Sequence, residues 1–578
     1  MANRATGGRG GAKSTGDAAD LAATRPWLAA YPAGTAAEID LAALPTLPAL
    51  IDAAVARFAA RPATESFGKR LTYAEVGAAA RAVQAWLEGQ GLRPGDRVAL
   101  MMPNVLAYLP VLFGVLRGGF TVVNVNPLYT PRELGVALAD SGARVLVVLE
   151  NFGHTAQAAL PGTAVETVVV VSPGDLMGAK GLLVNFVSRR VKKAVPAFAI
   201  PGSVRLGRVL GAGRRRAPSA IAARPDDVAF LQYTGGTTGV AKAAMLTHCC
   251  VAANVMQCGA WLGPFLSDDR PPVIITALPL YHIFALTASA LLMAHLGALQ
   301  VMIANPRDIP ALVKTMQGRP FSAIILVNTL ANALLNHPDF KTIDFSKLEL
   351  AVAGGMAVQA AVAERWKAVT GRPIVEGYGL SETSPVVCCN RPDIAAWNGA
   401  IGYPVPSTEI SIRDADGRPV GAGEQGELCV RGPQVMAGYW RRPDETARTM
   451  TADGFLRTGD IAVMAPDGLV RIVDRLKDMI LVSGFNVYPN EVEDVLAAHP
   501  GVLEVAVIGR PDPRCGEAVV AYVVRRDAST DAEALTAHAR AGLTPYKIPR
   551  EFIFVEALPK TNVGKILRRA LREAPPVG

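Results

Sequence analysis

Residues 98–102, 121–125 and 145–149 are short, almost wholly apolar runs, and the stretches between them carry helix signals. A strand that is apolar on both faces belongs in a parallel sheet, because crossover connections lay helices over both sides. Residues 105–117 read as the first crossover helix. The second opens on Thr130-Pro131-Arg132-Glu133, a capping box with proline at the first helical position, and is expected to run to about Ser141. The rhythm returns between residues 272 and 375, with strands expected at 274–278, 323–327 and 348–353. The two halves share no clear repeat, yet both read as α/β units. After Gly402 the texture changes to short alternating strands such as 427–430 and 469–473, a smaller β-rich unit. Asp474-Arg475-Leu476-Lys477-Asp478 is a charged pentapeptide between apolar strands and reads as a hinge. Beyond it, a helix at 491–498, strands at 502–508 and 519–524 and a helix at 531–541 suit a compact α+β module. The expected class is therefore α/β. A large N-terminal domain (26–474) holds two α/β subdomains and a β-rich one. A hinge (475–478) and a small mobile α+β C-terminal domain (479–578) follow. Residues 1–25, rich in Gly, Ala, Arg and Thr and without an apolar core, read as a disordered tail rather than a signal peptide.

The densest chemical signal is residues 233–242, Y-T-G-G-T-T-G-V-A-K. Thr234, Gly235, Gly236, Thr237, Thr238, Gly239 and Lys242 offer backbone N–H groups, hydroxyls and a point charge to anionic oxygens at once. Apolar runs enter at 228–231 and leave at 243–246, so the expectation is strand, loop, strand. A Walker phosphate loop needs Gly-Lys adjacent, then Ser or Thr, then a helix. Here Val240 and Ala241 separate Gly239 from Lys242, and Ala243 follows, so that reading fails.

A chain of 578 residues, half of them hydrophobic, can bury a large core. Its net charge of +8 favours small polyanions or anionic lipid surfaces. No basic stripe with interleaved aromatics occurs, which argues against nucleic acid. The seven cysteines have neither metal-ligand spacing nor a disulfide framework, which suits a reducing, cytoplasmic setting. The most apolar internal window, 286–304, carries His295 and Gln300 and reads as a buried helix and strand.

Four further segments carry candidate site residues. Glu376-Gly377-Tyr378-Gly379-Leu380-Ser381-Glu382-Thr383 follows Ile374 and Val375, at the end of a strand where open α/β sheets bind ligands. Tyr378 could stack on a base, Ser381 could bond a phosphate, and Glu382 offers a hard oxygen to Mg²⁺. Asp460, in Thr458-Gly459-Asp460, could accept both hydroxyls of a ribose. His282 lies among apolar neighbours, and Lys565 follows Gly564 on a loop before a basic helix. Taken singly, each has an ordinary reading as a turn residue, a core histidine or a surface lysine.

In order and spacing, these segments resemble the adenylate-forming superfamily of acyl-CoA synthetases, firefly luciferases and peptide-synthetase adenylation domains. Within that superfamily the resemblance to bacterial long-chain fatty acyl-CoA synthetases is close. It covers the chain from about Pro26 to Arg572 and includes N-V-N-P-L-Y-T-P-R-E-L at 124–134 and V-S-G-F-N-V-Y-P at 482–489. It implies two half-reactions: a fatty carboxylate attacks the α-phosphate of ATP to give acyl-AMP and pyrophosphate, and CoA then displaces AMP. Carried over, Thr234 to Lys242 would hold the β- and γ-phosphates. Tyr378 and Gly379 would pack at adenine, and Ser381 would contact phosphate. Glu382 would ligate Mg²⁺, and Asp460 with Arg475 would hold the ribose. Lys477 would be the hinge residue, and Ser483, Gly484 and Phe485 would meet CoA. Lys565 would bridge carboxylate and α-phosphate, forming with Thr238, Glu382 and His282 the candidate catalytic set. No Gly-x-Ser-x-Gly elbow occurs, as suits a reaction without a covalent enzyme nucleophile. One departure stands out: Ala243 occupies a position where the family commonly has glycine. If that position needs positive φ, alanine costs about 1–2 kcal/mol.

Three alternatives stay open at this point. The substrate could be a medium-chain or aryl acid, or the acyl-AMP could be loaded onto a carrier protein. A catalytically silent lipid-binding protein is a different class, opposed by the intact set of polar residues. Residues 181–200, from Gly181 to Ile200, read as a short amphipathic helix. Leu182, Leu183, Phe186 and Val187 lie beside Arg189, Arg190, Lys192 and Lys193. Either it docks peripherally on the inner face of the cell membrane, or it packs on the large domain with a solvated basic face. Sequence leaves a homodimer undecided.

Overall fold

The structure, a computed structural model, describes residues 24–40, 46–220, 223–234, 242–267, 269–561 and 564–573. After a helix at Leu47–Arg57, the first two strands form a hairpin, β1 (Pro62–Ser66) and β2 (Lys69–Thr72). The chain then builds a seven-stranded sheet from β3 (Arg97–Met101), β4 (Thr121–Asn124), β5 (Val145–Leu149), β6 (Thr167–Val171), β7 (Val204–Arg205), β8 (Val228–Thr234) and β9 (Lys242–Thr247). Their order is β7-β6-β5-β3-β4-β8-β9, and all are parallel except β9. A second sheet takes up the hairpin. Its strands are β10 (Val273–Thr276), β11 (Leu299–Met302), β12 (Ala323–Leu326), β13 (Leu350–Gly354), β14 (Val375–Gly379), β15 (Val386–Cys389) and β16 (Tyr403–Pro404), in the order β16-β15-β14-β13-β12-β10-β11-β1-β2. The buried runs seen in the sequence are these parallel strands; β5 is buried at every position.

The helix after Thr130 forms as its signals require. Thr130 Oγ1 accepts from Glu133 N, Glu133 Oε2 accepts from Thr130 N, and Gly142 ends the helix at φ +61°. The first crossover helix starts at Tyr108, later than the expected 105, and Asn104 ahead of it has a separate task. Its side chain is buried and grips the loop after β10. Nδ2 donates to the carbonyls of Thr276 and Leu278, and Oδ1 accepts from Leu280 N.

Five helices matter below: α1 (Ala179–Phe186), α2 (Asn328–Leu335), α3 (Ala360–Thr370), α4 (Pro443–Thr449) and α5 (Pro489–Ala497). A four-stranded antiparallel sheet of β17 (Glu409–Arg413), β18 (Gln425–Arg431), β19 (Leu456–Met464) and β20 (Val470–Arg475) completes the large domain. The small domain carries β21 (Ile480–Val482), β22 (Phe485–Val487), β23 (Val502–Asp512), β24 (Gly516–Arg525) and β25 (Glu551–Phe554) in one sheet, covered by α5. Between the two, Asp474 is fully buried and binds the small domain's first helix: Oδ2 accepts from Asn490 N at 2.9 Å. That is a carboxylate at a helix N-terminus, and burial still pushes its pKa up to about 6. Among the described residues, no helix is long and apolar enough to cross a membrane.

Candidate active site

In the second sheet β10 lies between β12 and β11, so successive connections leave it in opposite directions. Ligands bind at the carboxyl ends of strands at such a switch point. A pocket opens there, lined by Leu278, Pro279, His282, Phe284, Ala285, Val327, Gly355 and Lys565. The first five follow β10, Val327 follows β12, Gly355 follows β13, and Lys565 arrives from the small domain. The lysine is placed by a tight turn: Lys565 N donates to Thr561 Oγ1 at 3.0 Å, and Thr561 N to the Lys565 carbonyl at 2.6 Å. Gly564 is required before it. Its φ is +84°, and a Cβ there would stand 2.6 Å from Thr329 Oγ1.

Burial, then the charge of Arg475, pushes the Lys565 ammonium down to about 8, while Asp460 and Glu382 pull the other way. His282 goes down to about 3 through burial and the nearby Lys565, so its ring is neutral. Nδ1 accepts from Phe284 N at 3.3 Å, which puts the ring proton on Nε2. The two linings of the cleft are tied together by Gln232 on β8. It accepts from Asn124 and donates to the Tyr281 carbonyl, next to His282.

Tyr378, Asp460 and Arg475 come together from three strands. Tyr378 Oη donates to Asp460 Oδ2 at 2.5 Å, and Arg475 Nε stands 3.4 Å from Asp460 Oδ1. Asp460 is presented by an irregularity in the pairing of β18 with β19, where Gly459 adopts φ +72° and its N–H binds Glu427 Oε1. Burial raises the pKa of Asp460, with Arg475 opposing. Gly379 sits tightly under the Pro385 backbone, leaving no room for a side chain. Ser381 and Glu382 form a short 3-10 turn after β14. Glu382 Oε1 accepts from Tyr439 Oη at 2.7 Å.

Other expected residues fare differently. Gly235, Gly236, Thr237, Thr238 and Gly239 lie outside the described residues, as does most of the 1–25 tail. Their flanks are the expected antiparallel strands, β8 and β9, closed by the Thr234–Lys242 pair. Lys242 pairs with Glu445 on α4 and lies 5.5 Å from the Tyr439 ring. The strain expected at Ala243 does not arise. Ala243 is a buried strand residue opposite Tyr233, and it is absent from the residues with positive φ. Lys477 lies in the turn between β20 and β21 with much of its surface open, while the protein packed around its amine partly desolvates it and, with Arg475, lowers its pKa. Ser483, Gly484 and Phe485 form the β21–β22 turn, where Phe485 stacks on Tyr546 at 4.9 Å; they do not line the Lys565 pocket. Asn104, Gln232, Tyr439 and Glu445 were not foreseen, since no local pattern marks them.

The helix at 179–186 continues as a wider turn over Val187–Val191. Of the expected stripe, Leu182, Leu183 and Phe186 are 74, 63 and 57% exposed, whereas Val187 is half-buried. Arg189 is bound to the buried Glu150, leaving Arg190, Lys192 and Lys193 as the exposed basic group.

A small domain delivers a lysine to a sheet's switch point, beside a Tyr–Asp–Arg cluster at the closing β-subdomain. Together these define an adenylate-forming enzyme. The chain belongs to the AMP-binding enzyme family, whose model matches residues 51–440, with the AMP-binding enzyme C-terminal domain at 491–565. It is 52% identical over 549 residues to a long-chain-fatty-acid–CoA ligase of Escherichia coli O157:H7, covering 95% of this chain and 98% of that one. Among solved structures it resembles the anthranilate CoA ligase AuaEII in complex with anthranoyl-AMP (TM-score 0.81, 27% identity, 92% and 98% coverage). It also resembles ATP-bound MatB from Rhodopseudomonas palustris (TM-score 0.77, 28% identity, 92% and 99% coverage).

Proposed function

We propose that this enzyme activates long-chain fatty acids as CoA thioesters in two half-reactions. A carboxylate oxygen attacks the α-phosphorus of ATP; the new O–P bond forms as the bond to pyrophosphate breaks. The CoA thiol then loses its proton and attacks the acyl carbon, forming C–S as the C–O bond to AMP breaks. The observation that carries the reading is Lys565, brought by the small domain into an apolar pocket beside His282. Two anions must meet in the first step, and a lysine fixed where their charge gathers favours that encounter. Asp460 and Arg475 would bind the ribose, Tyr378 and Gly379 would bound the adenine, and Ser381 would bond a phosphate. Thr234 to Lys242 would hold the outer phosphates once Lys242 exchanges Glu445 for them.

Glu382 suits Mg²⁺. One of its oxygens is held by Tyr439, the other has no partner among the described residues, and no cluster of three metal ligands occurs there. A single hard carboxylate fits an ion that draws its remaining ligands from phosphate and water. When bound, Mg²⁺ supplies neutralisation of phosphate charge.

The second step needs the CoA thiol at the acyl carbon, where Lys565 now stands. We assign residues 475–478, with Lys477 at their centre, as the hinge that moves the small domain (479–578) from the large one (26–474). That motion would bring Ser483, Gly484 and Phe485 towards CoA. The exposed face of α1 is read as a peripheral contact with an anionic bilayer, where the substrate partitions. The enzyme is expected to release pyrophosphate with ATP and a fatty acid alone, and to form thioester and AMP once CoA is added. Glu382→Ala is expected to raise the Mg²⁺ concentration needed for half-maximal pyrophosphate release. Thioester formation without pyrophosphate release, or an unchanged Mg²⁺ profile, would refute these roles.

A further inference from the structure

Thr329, Asn332 and Asn336 are spaced so that they share one face of α2 and its end. All three face the small domain. Thr329 Oγ1 donates to the Gly564 carbonyl at 2.9 Å, one residue from Lys565. Asn332, buried, donates through Nδ2 to the Leu503 carbonyl on β23 at 3.0 Å. Asn336 Oδ1 accepts from Arg526 Nη1 at 3.0 Å, beyond the end of β24.

The amides are oriented from behind by Arg365 on α3. Its Nη1 donates to Asn332 Oδ1 at 3.3 Å and its Nη2 to Asn336 Oδ1 at 3.0 Å. The Asn336 oxygen is thus shared by two guanidinium groups, one from each domain. It is neutral, and the two cations repel: Arg365 is lowered by burial and then by Arg526. Among the described residues, no ion pair joins this face to the small domain. Two side chains therefore hold main-chain carbonyls, and the third contact balances attraction against repulsion. Such a surface closes specifically and opens easily.

Resting on the two-step reading above, we infer that Thr329, Asn332 and Asn336 form a releasable latch that positions Lys565 for the first half-reaction. They are positioning residues and touch neither pocket nor substrate. Each lost hydrogen bond shifts a closed–open equilibrium by about 2- to 12-fold. A carboxylate at 336 would replace the neutral oxygen between two cations and tighten closure by about 2- to 5-fold.

The test measures three properties of Thr329→Val, Asn332→Ala and Asn336→Asp in the full chain. They are acyl-AMP formation, reaction of supplied acyl-AMP with CoA, and the rate of trypsin cleavage at the exposed hinge residues Arg475 and Lys477. Thr329→Val and Asn332→Ala are expected to slow acyl-AMP formation several-fold, to leave the CoA step intact or faster, and to speed hinge cleavage. Asn336→Asp is expected to do the reverse, slowing the CoA step and protecting the hinge. Thr329→Ser should recover the native pattern. Equal losses in both half-reactions, or native behaviour in all three assays, would overturn the latch. If the unaltered chain performs neither half-reaction, the functional reading fails, and hinge cleavage alone decides whether these residues hold the domains together.

Discussion

At the scale of single residues, protonation is the sharpest property of the site. In the role proposed for it, Lys565 would serve acyl-AMP formation only in its charged form, and its surroundings bring its pKa to about 8. The protonated fraction is full below that value and falls by about tenfold for each unit above it. The value of kcat/KM for acyl-AMP formation is therefore expected to decline as pH rises through about 8. His282, already neutral, adds no limb between pH 5 and 9. Lys565→Ala should cost about 10²- to 10³-fold in this half-reaction, the scale of one lost electrostatic donor, and should erase the pH limb. Supplied acyl-AMP should still react with CoA. A wild-type profile flat to pH 9.5, or equal loss in both half-reactions, would contradict the role. Lys565, Asp460 and Tyr378 were legible because each sits in a short glycine-bearing motif. Asn104, Glu445 and Tyr439 were not. Their bonding partners lie 174, 203 and 57 positions away, so nothing in their own neighbourhoods records them.

At the scale of elements, apolar runs located β3, β4, β5, β8 and β9 of one large sheet and β10, β12 and β13 of the other, whereas β1, β2, β6, β7, β15 and β16 were not foreseen. They set the first crossover helix at 105, ahead of the observed start at Tyr108. The concern over Ala243 was conditional on a positive φ; the outgoing strand runs through it, paired with Tyr233, and its φ is not positive. The α1 segment, whose sequence allowed two readings, packs on the large domain through Gly181 and Val184 and leaves Leu182, Leu183 and Phe186 exposed. Lys180 ties the helix start to the carbonyl of Phe67, itself 56% exposed. A membrane would cover these side chains, and each basic residue near anionic headgroups adds about 1 kcal/mol. Replacing Arg190, Lys192 and Lys193 together with glutamine should therefore reduce co-sedimentation with vesicles containing phosphatidylglycerol. Arg189 is spared because it neutralises Glu150. Acyl-AMP formation from a soluble short acid should be unaltered in the variant. Undiminished vesicle binding would exclude this segment as the contact.

At the scale of the whole molecule, the question is how far the substrate's tail extends beyond the pocket that Lys565 closes. The pocket walls are apolar: Leu278, Pro279, Phe284, Ala285 and Val327 surround the lysine stem. The stretch Leu286–Leu291 that follows Ala285 is buried throughout and adopts the wide turn of a π-helix, a form frequent at functional sites. Phe284 packs against Gly354 at the end of β13, and a Cβ there would lie 3.1 Å from its ring. In the proposed reading the acyl chain enters past His282 along these apolar walls, and the 52% identical relative is named for long-chain acids. Burying a methylene gains about 0.8 kcal/mol, so eight further carbons would add up to about 6 kcal/mol before ordering costs. The value of kcat/KM should therefore climb with chain length well past eight carbons and level off only when the cavity is filled. Measurement across saturated acids from six to eighteen carbons decides the matter. A profile that is flat or falling beyond medium chains would assign the enzyme to medium-chain or aryl acids instead.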